Sequence, residues 1–474
     1  MLKTRLKKSF KMLIKTKSEK GAAAIEKFFY PKSVAIIGAS RDPRKFGHTI
    51  LRNFREDFKG PIYPINPKAE EILGLRCYPS VKEIYGKVDL AVVVVPAEAA
   101  NGAVEECVEK GIPAVVVITA GYREIGGEGI AREKELENII QKAKGKTRVI
   151  GPNVLGIYDP YGNVDTLFLP DYKLKRPAAG SIAFISQSGA FGSAIIDWAA
   201  TEGIGISRFV SYGNAVDIDE IELLKYLADD EQTKAILCYI EGVKNGRKFL
   251  ETLKEATRKK PVIIFKAGKS ETGAKAAMSH TGSLAGKYEI FRAAIKQGGA
   301  IEARTVEQMF DFARALAYQP KAKGPNVGII TNGGGFGVIC ADVCTQTCLQ
   351  LASFSKETME KLKPIMPAYS TTHNPLDLIG DADAKRYEAA LNALMDDKNV
   401  DCIICVVLMQ TTTLEPDVVE VISNAKEKST KPILIVSAGG EYTQLLLKSL
   451  EKEGIPAYPT PERAAKAMAV LVEK

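Results

Sequence analysis

Short apolar runs rich in β-branched residues recur along almost the whole chain, with helix-length amphipathic stretches between them. They lie at 34–37, 90–95, 114–118, 182–185, 235–240, 262–265, 327–330, 402–409 and 433–436. A run that is apolar at every position suits a strand buried on both faces, as in parallel sheets covered by helices. The pattern predicts doubly wound α/β domains. At 474 residues the chain is too long for one core and long enough for about three domains. Two polar segments carrying Pro and Lys, 171–180 and 319–326, interrupt the alternation. Read as linkers, they leave an N-terminal extension at 1–27 and domains at 28–170, 176–320 and 325–474.

The formal charge of +8 is concentrated at one end. Residues 1–20 hold eight Lys/Arg against one Glu, which leaves the body close to neutral and gives no sign of a nucleic-acid-binding surface. Leu2, Leu6, Phe10, Leu13 and Ile14 share a helical face among those lysines. Contact with a membrane surface or nucleic acid is one reading; a loosely held terminus, or translation from Met12 or a later site, is the favoured one. No apolar run approaches the ~18 residues of a membrane span, and no secretory h-region is present. The eight cysteines are scattered. A cytoplasmic protein without stable membrane insertion is expected.

The second and third domains read as copies. Ile185-Ser-Gln-Ser-Gly-Ala-Phe-Gly192 repeats 145 residues later as Ile330-Thr-Asn-Gly-Gly-Gly-Phe-Gly337, and Lys260-Pro-Val-Ile-Ile-Phe-Lys-Ala-Gly268 repeats as Lys431-Pro-Ile-Leu-Ile-Val-Ser-Ala-Gly439. Each first motif follows a strand and opens a helix, where bare N–H groups and the helix dipole attract anions. Two phosphate sites are therefore expected, at Ser186, Gln187, Ser188 and Gly189 and at Asn332, Gly333, Gly334 and Gly335, with the Ser186 and Ser188 hydroxyls as added donors. The copies differ where chemistry would sit. Glu241 ends one strand where the third domain has Leu408-Met409, and nothing in the third domain matches His280.

His280, one of three histidines, sits in Gly273-Ala-Lys-Ala-Ala-Met-Ser-His280-Thr-Gly-Ser-Leu-Ala-Gly286. A loop of such small residues suits a side chain that moves or approaches a bulky anion, and neutral imidazole is a competent nucleophile. Glu241, at the carboxyl end of a strand, could accept from one imidazole N–H and leave the other nitrogen free to attack phosphorus.

The first domain opens with Ser33-Val-Ala-Ile-Ile-Gly38-Ala-Ser-Arg41 and then Gly47, which departs from G-x-G-x-x-G at Ser40. The next strand, Pro61-Ile-Tyr-Pro-Ile-Asn-Pro-Lys68, ends in a lysine rather than a ribose-binding acid, which suits a phosphate such as that of coenzyme A or NADP. Pro96 and Ala120-Gly121 end two more strands. Cys340, Cys344 and Cys348 share a helical face without a nearby fourth ligand, and Cys402-Ile-Ile-Cys405 lies in an apolar strand. Both are read as packing, so no metal site is expected. His48 is read as structural or close to the ligand phosphates.

These motifs together resemble the α subunit of ADP-forming (NDP-forming) acetyl-CoA synthetases, or acetate–CoA ligases, of the succinyl-CoA synthetase superfamily. The resemblance covers about residues 28–474. It implies a Rossmann-like CoA-binding domain followed by two flavodoxin-like domains. It assigns CoA to Gly38, Ala39, Ser40, Arg41, Lys68, Val95, Pro96, Ile118, Thr119 and Ala120, matches Gly151-Pro-Asn153-Val-Leu-Gly156 to the link out of that domain, and makes His280 the phosphohistidine positioned by Glu241. Acyl-CoA, phosphate and ADP would give acid, CoA and ATP through acyl phosphate. No ATP-grasp or G-x-x-x-x-G-K-[ST] segment is present, so a nucleotide-binding ATP-grasp β subunit carrying Mg²⁺ and ADP/ATP is implied, as α2β2. An NADP-dependent dehydrogenase would leave His280 and the duplicated turns unexplained; a non-catalytic CoA-binding regulatory protein would leave His280 idle. A regulatory part of a protein acyltransferase would need an acetyltransferase domain that is not seen. The acyl group itself is not legible in the sequence.

Overall fold

The structure, a computed structural model, describes residues 24–275 and 287–472. The chain divides into two compact units, one running to Glu302 and one from Ala303 onward, with Glu202–Ile204 grouped in the second.

The first unit holds two large sheets and a small antiparallel pair, Glu71–Ile72 with Leu75–Arg76. One is parallel, built from β1 (Val34–Ile37), β2 (Ile62–Ile65), β3 (Leu90–Val93), β4 (Ala114–Val117) and β5 (Arg148–Ile150) in the order β2-β1-β3-β4-β5. β1, β3 and β4 are buried at every position, which is why their sequences are apolar throughout. The other is built from β6 (Ile157–Asp159), β7 (Val164–Asp165), β8 (Ala179–Ser186), β9 (Ile206–Ser211), β10 (Ala235–Ile240), β11 (Val262–Lys266) and β12 (Ile301–Ala303). Its order is β12-β11-β10-β8-β9-β6-β7. β6 joins antiparallel to β9, so residues that follow the first sheet in the chain complete the second. A single hydrophobic cluster runs through both, from Val34 and Leu90 to Ile236 and Ile264.

The second unit has one sheet, of β13 (Asn326–Thr331), β14 (Gln350–Leu351), β15 (Leu376–Asp377), β16 (Cys402–Val406), β17 (Ile433–Val436) and β18 (Ala457–Tyr458). Its order is β14-β13-β16-β17-β18, with β15 also on β13. Leaving aside β6, β7 and β15, and counting from β1, β8 and β13, all three large sheets read 2-1-3-4-5. A sheet so ordered opens a crevice at the carboxyl ends of strands 1 and 3, where the connections diverge to opposite faces. Three expected runs, 90–95, 114–118 and 402–409, are longer than the strands they form, because Val94-Val95, Ile118 and Leu408 leave the sheet to border such crevices.

Residues 24–29 are helical, and Phe28 and Phe29 are fully buried in the first unit's core. The rest of the basic segment, 1–23, lies outside the described residues, as does the 276–286 stretch that carries His280. Beneath Phe29, Arg208 on β9 is fully buried and pairs with Asp159 at 2.8 Å and Asp230 at 3.2 Å, with the Tyr30 hydroxyl as a further partner. Burial pushes the Asp159 carboxyl up to about 6 despite that guanidinium. Arg208→Met would strand two buried carboxylates, and a loss of about 3–5 kcal/mol is expected in urea unfolding.

Glu220 opens the helix Glu220–Asp229 and is only 3% exposed. Burial, with Asp219 beside it, pushes its carboxyl up to about 7. The folded state then holds a proton that the unfolded state has released, so stability falls as pH rises from the ordinary carboxylate range through about 7. Glu220→Gln should be the more stable protein at pH 8, by about 1–3 kcal/mol, with the gap closing near pH 4. Urea unfolding across that range measures it; a pH-independent gap would contradict the assignment.

Candidate functional site

The crevice of the first sheet is shaped by two close approaches. Gly38 ends β1 at φ +100°, and a Cβ there would stand 2.4 Å from Val94 O. A Cβ on Gly47 would stand 2.0 Å from Gly38 O, so the helix Phe46–Asp57 can start directly on the turn. Gly47 thus does the work of the third glycine that G-x-G-x-x-G would supply. Asn66 Nδ2 donates to Ala39 O at 2.8 Å, Thr119 Oγ1 to Val95 O at 2.7 Å, and His48 Nδ1 lies 2.9 Å from Ser40 O. His48 therefore closes the turn.

The second and third sheets share a different device. Ser186 Oγ donates to Ser188 O at 2.7 Å, and Thr331 Oγ1, 145 positions on, donates to Gly333 O at 2.9 Å. Gln187 Oε1 accepts from the amides of Glu241 and Gly242 at 2.8 and 3.1 Å; Asn332 Oδ1 accepts from the Leu408 amide at 2.9 Å. Each amide side chain spans the crevice of its sheet. Ser188 also caps the helix Gly189–Thr201, its Oγ accepting from Phe191 N at 3.3 Å. The first amides of that helix have no acceptor within the helix and stand ready for an anion.

A cavity of about 1490 Å³ joins the first two crevices within the first unit. Of the expected CoA residues, Gly38, Ala39, Ser40, Lys68, Val95, Pro96, Ile118, Thr119 and Ala120 line it. Gln187, Ser188, Gly189 and Glu241 line it too. Arg41 is not among the lining residues; its guanidinium reaches back to Lys68 O at 3.4 Å. Ser186 is fully buried with its hydroxyl committed to Ser188, so it supplies no donor to the cavity. Asn332, Gly333, Gly334 and Gly335 lie in the second unit.

Glu241 is 6% exposed, and the Tyr239 hydroxyl hydrogen-bonds to it. Burial first, and then the Glu241 charge, push the Tyr239 phenol up. Lys266, 2% exposed, donates from Nζ to Glu241 O at 2.7 Å and also to Ala267 O. Burial pushes its ammonium pKa down, and the Glu241 charge offsets part of that. The sequence reading missed Lys266, although the repeat carried the signal: its counterpart is Ser437. It also missed Lys45, Phe46, Arg123 and Asn214, which enter the cavity from loops and helix starts and carry no strand-end signature.

Cys340 and Cys344 are buried and Cys348 is exposed, while Cys402 and Cys405 are buried in β16. Among the described residues, no group of three or more His, Cys, Asp or Glu is placed to hold a metal ion.

Family models agree with this layout. Residues 32–160 match a CoA binding domain, 179–316 a succinyl-CoA ligase like flavodoxin domain, and 327–474 a Ligase-CoA domain. The chain is 43% identical to the alpha subunit of acetate–CoA ligase [ADP-forming] II of Pyrococcus furiosus, over 95% of this chain and 98% of that subunit. It belongs to the ADP-forming acetate–CoA ligase family. Acetate–CoA ligase [ADP-forming] I of Archaeoglobus fulgidus, another member, is 45% identical over 94% of this chain, which spans only 63% of that longer protein. Among solved structures, the dinucleotide-forming acetyl-coenzyme A synthetase 1 of Ca. Korarchaeum cryptofilum, in complex with phosphate and ADP, matches with a TM-score of 0.88 at 38% identity, covering 94% of this chain and 96% of that one. An α/β chain with a CoA-binding domain followed by two flavodoxin-like domains is thus common to the family and to this sequence.

The bridging amides make a paired test. Gln187→Ala should speed hydrogen exchange at the Glu241 and Gly242 amides by about fivefold, the equivalent of one lost bond of roughly 1 kcal/mol. Asn332→Ala should do the same at Leu408 and leave Glu241 unchanged. Equal protection in parent and variants would show that neither side chain holds its crevice.

Proposed function

We propose that this chain is the α part of an ADP-forming acyl-CoA synthetase, converting acyl-CoA, phosphate and ADP to carboxylic acid, CoA and ATP. The observation that carries the proposal is the shared cavity, which places the CoA-type turn at Gly38–Ser40 and the helix start at Gly189, with Glu241, around one ligand space. In this reading CoA lies along Gly38, Ala39, Ser40, Lys68, Val95, Pro96, Ile118, Thr119 and Ala120, with Lys45 in place of Arg41 near its phosphates. The working segments are 1–27, 28–170, 176–320 and 325–474.

A phosphate oxygen, its charge spread over the amides behind Ser188, attacks the thioester carbon. The C–S bond breaks and the CoA thiolate leaves, taking up a proton. An imidazole nitrogen of His280 then attacks phosphorus, the P–O bond to the acyl group breaks, and the carboxylate leaves. Glu241 accepts from the other imidazole N–H and stabilises the positive charge that forms on the ring. The Asn332–Gly335 turn is a second phosphate site, in the second unit. Transfer to ADP uses a nucleotide-binding ATP-grasp β subunit with Mg²⁺, in an α2β2 assembly in the cytoplasm. No helix among the described residues is long and apolar enough to cross a membrane.

The test uses purified chain with labelled acetyl phosphate and CoA, comparing the parent with His280→Ala. Acid-labile, base-stable label should vanish in the variant, while acetyl-CoA formation continues because it precedes the histidine step. Absence of label in the parent, even with a candidate β subunit and ATP, would overturn the ligase reading.

A further inference from the structure

The proposed chemistry constrains where the acyl group lies. The attacking phosphate oxygen must come within roughly 3–3.5 Å of the thioester carbon. Phosphate held at the start of the helix Gly189–Thr201 therefore puts the acyl chain against that helix's first turn. Ala190 and Ser193 are the cavity-lining residues there, and Ser193 Oγ is engaged by Ala190 O at 2.8 Å. Leu155 closes one side: a Cβ on Gly189 would stand 3.3 Å from Leu155 N, and that amide is fixed by Ser211 Oγ at 3.2 Å. Phe168 and Leu169 also line the cavity.

This wall is pinned from behind. Leu167 O accepts from Asn53 Nδ2 at 2.9 Å, and Leu169 O from Arg176 Nη2 at 2.9 Å, with Arg176 paired to Asp165 at 2.7 Å. The Phe168 ring rests on Phe46, centroids 4.3 Å apart. The helix cannot retreat, since a Cβ on Gly192 would already meet the Phe209 ring at 2.8 Å. A wall held on both sides selects by size, because an added methylene has nowhere to go.

We propose that Ala190, Leu155, Phe168 and Leu169 form the acyl pocket and set by its size which acyl groups the chain prefers. The inference rests on the ligase reading above.

The experiment measures initial rates of CoA acylation from acetyl, isobutyryl and phenylacetyl phosphate, with CoA binding followed by calorimetry, on the full chain, Ala190→Leu and Leu169→Ala. Ala190→Leu should lower the isobutyryl-to-acetyl rate ratio by about tenfold or more, and Leu169→Ala should raise it by a similar factor. Variants that bind CoA and acylate it with ratios within about twofold of the parent would overturn the pocket while leaving the ligase reading intact. A parent chain that neither binds nor acylates CoA would overturn that reading, and the pocket with it. If one variant fails to bind CoA, the opposite ratio change in the other decides.

Discussion

The active ends of the second and third sheets depend on one amide side chain each. A 2-1-3-4-5 sheet separates at the carboxyl ends of strands 1 and 3, leaving backbone groups there without ladder partners. Gln187 and Asn332 reach across that gap and accept from the amides on its far bank. The hydroxyls of Ser186 and Thr331 tie down the carbonyl one step further along, at Ser188 and Gly333. With those groups satisfied inside the turn, the helix that follows keeps its first amides for a ligand. Two side chains of fixed type therefore close an unavoidable gap of the topology, twice in one chain.

The first sheet meets the same constraint by backbone proximity. Gly38 and Gly47 bring strand, turn and helix closer than any side chain would allow, and Asn66, Thr119 and His48 lock the surrounding carbonyls. This turn and the Gln187 turn line the same cavity. Their union in one cavity of about 1490 Å³ exceeds the usual few hundred to ~1,000 Å³ of a small-molecule pocket. A bulky ligand that must present one end to a phosphate fits that shape.

Much of this was legible in the sequence because the physics is local. Strands buried on both faces must be apolar throughout, and a turn repeated at a constant spacing of 145 residues announces a duplicated fold. What stayed hidden is what arrives from a distance. β6 and β7 are two or three residues long and carry Asp159 and Asp165, so neither run nor alternation marks them; their acids pair with Arg208 and Arg176, which lie far along the chain or outside the motif. Arg41 sits in the right motif but turns away, and Lys45, Arg123 and Asn214 reach the cavity from positions with no strand-end signature. The sequence reading put Ser186 in the right turn but could not see that its hydroxyl is spent on Ser188.

The two copies also show where charge has been placed. At the strand end that Glu241 terminates, Lys266 is buried and satisfied by the carbonyls of Glu241 and Ala267. In the other copy Ser437 occupies the equivalent position and donates to Val407 O at 2.6 Å, doing the scaffolding without a charge. A hydroxyl is therefore enough to hold such a strand end. Burying an ammonium instead costs desolvation, and that cost is offset in part by the Glu241 charge beside it, which Leu408 could not supply. The lysine and the glutamate occur together in the copy whose turn opens on the cavity and are both missing from the other. The pair is thus an electrostatic feature superimposed on a shared scaffold, and it is the clearest chemical difference between the two copies.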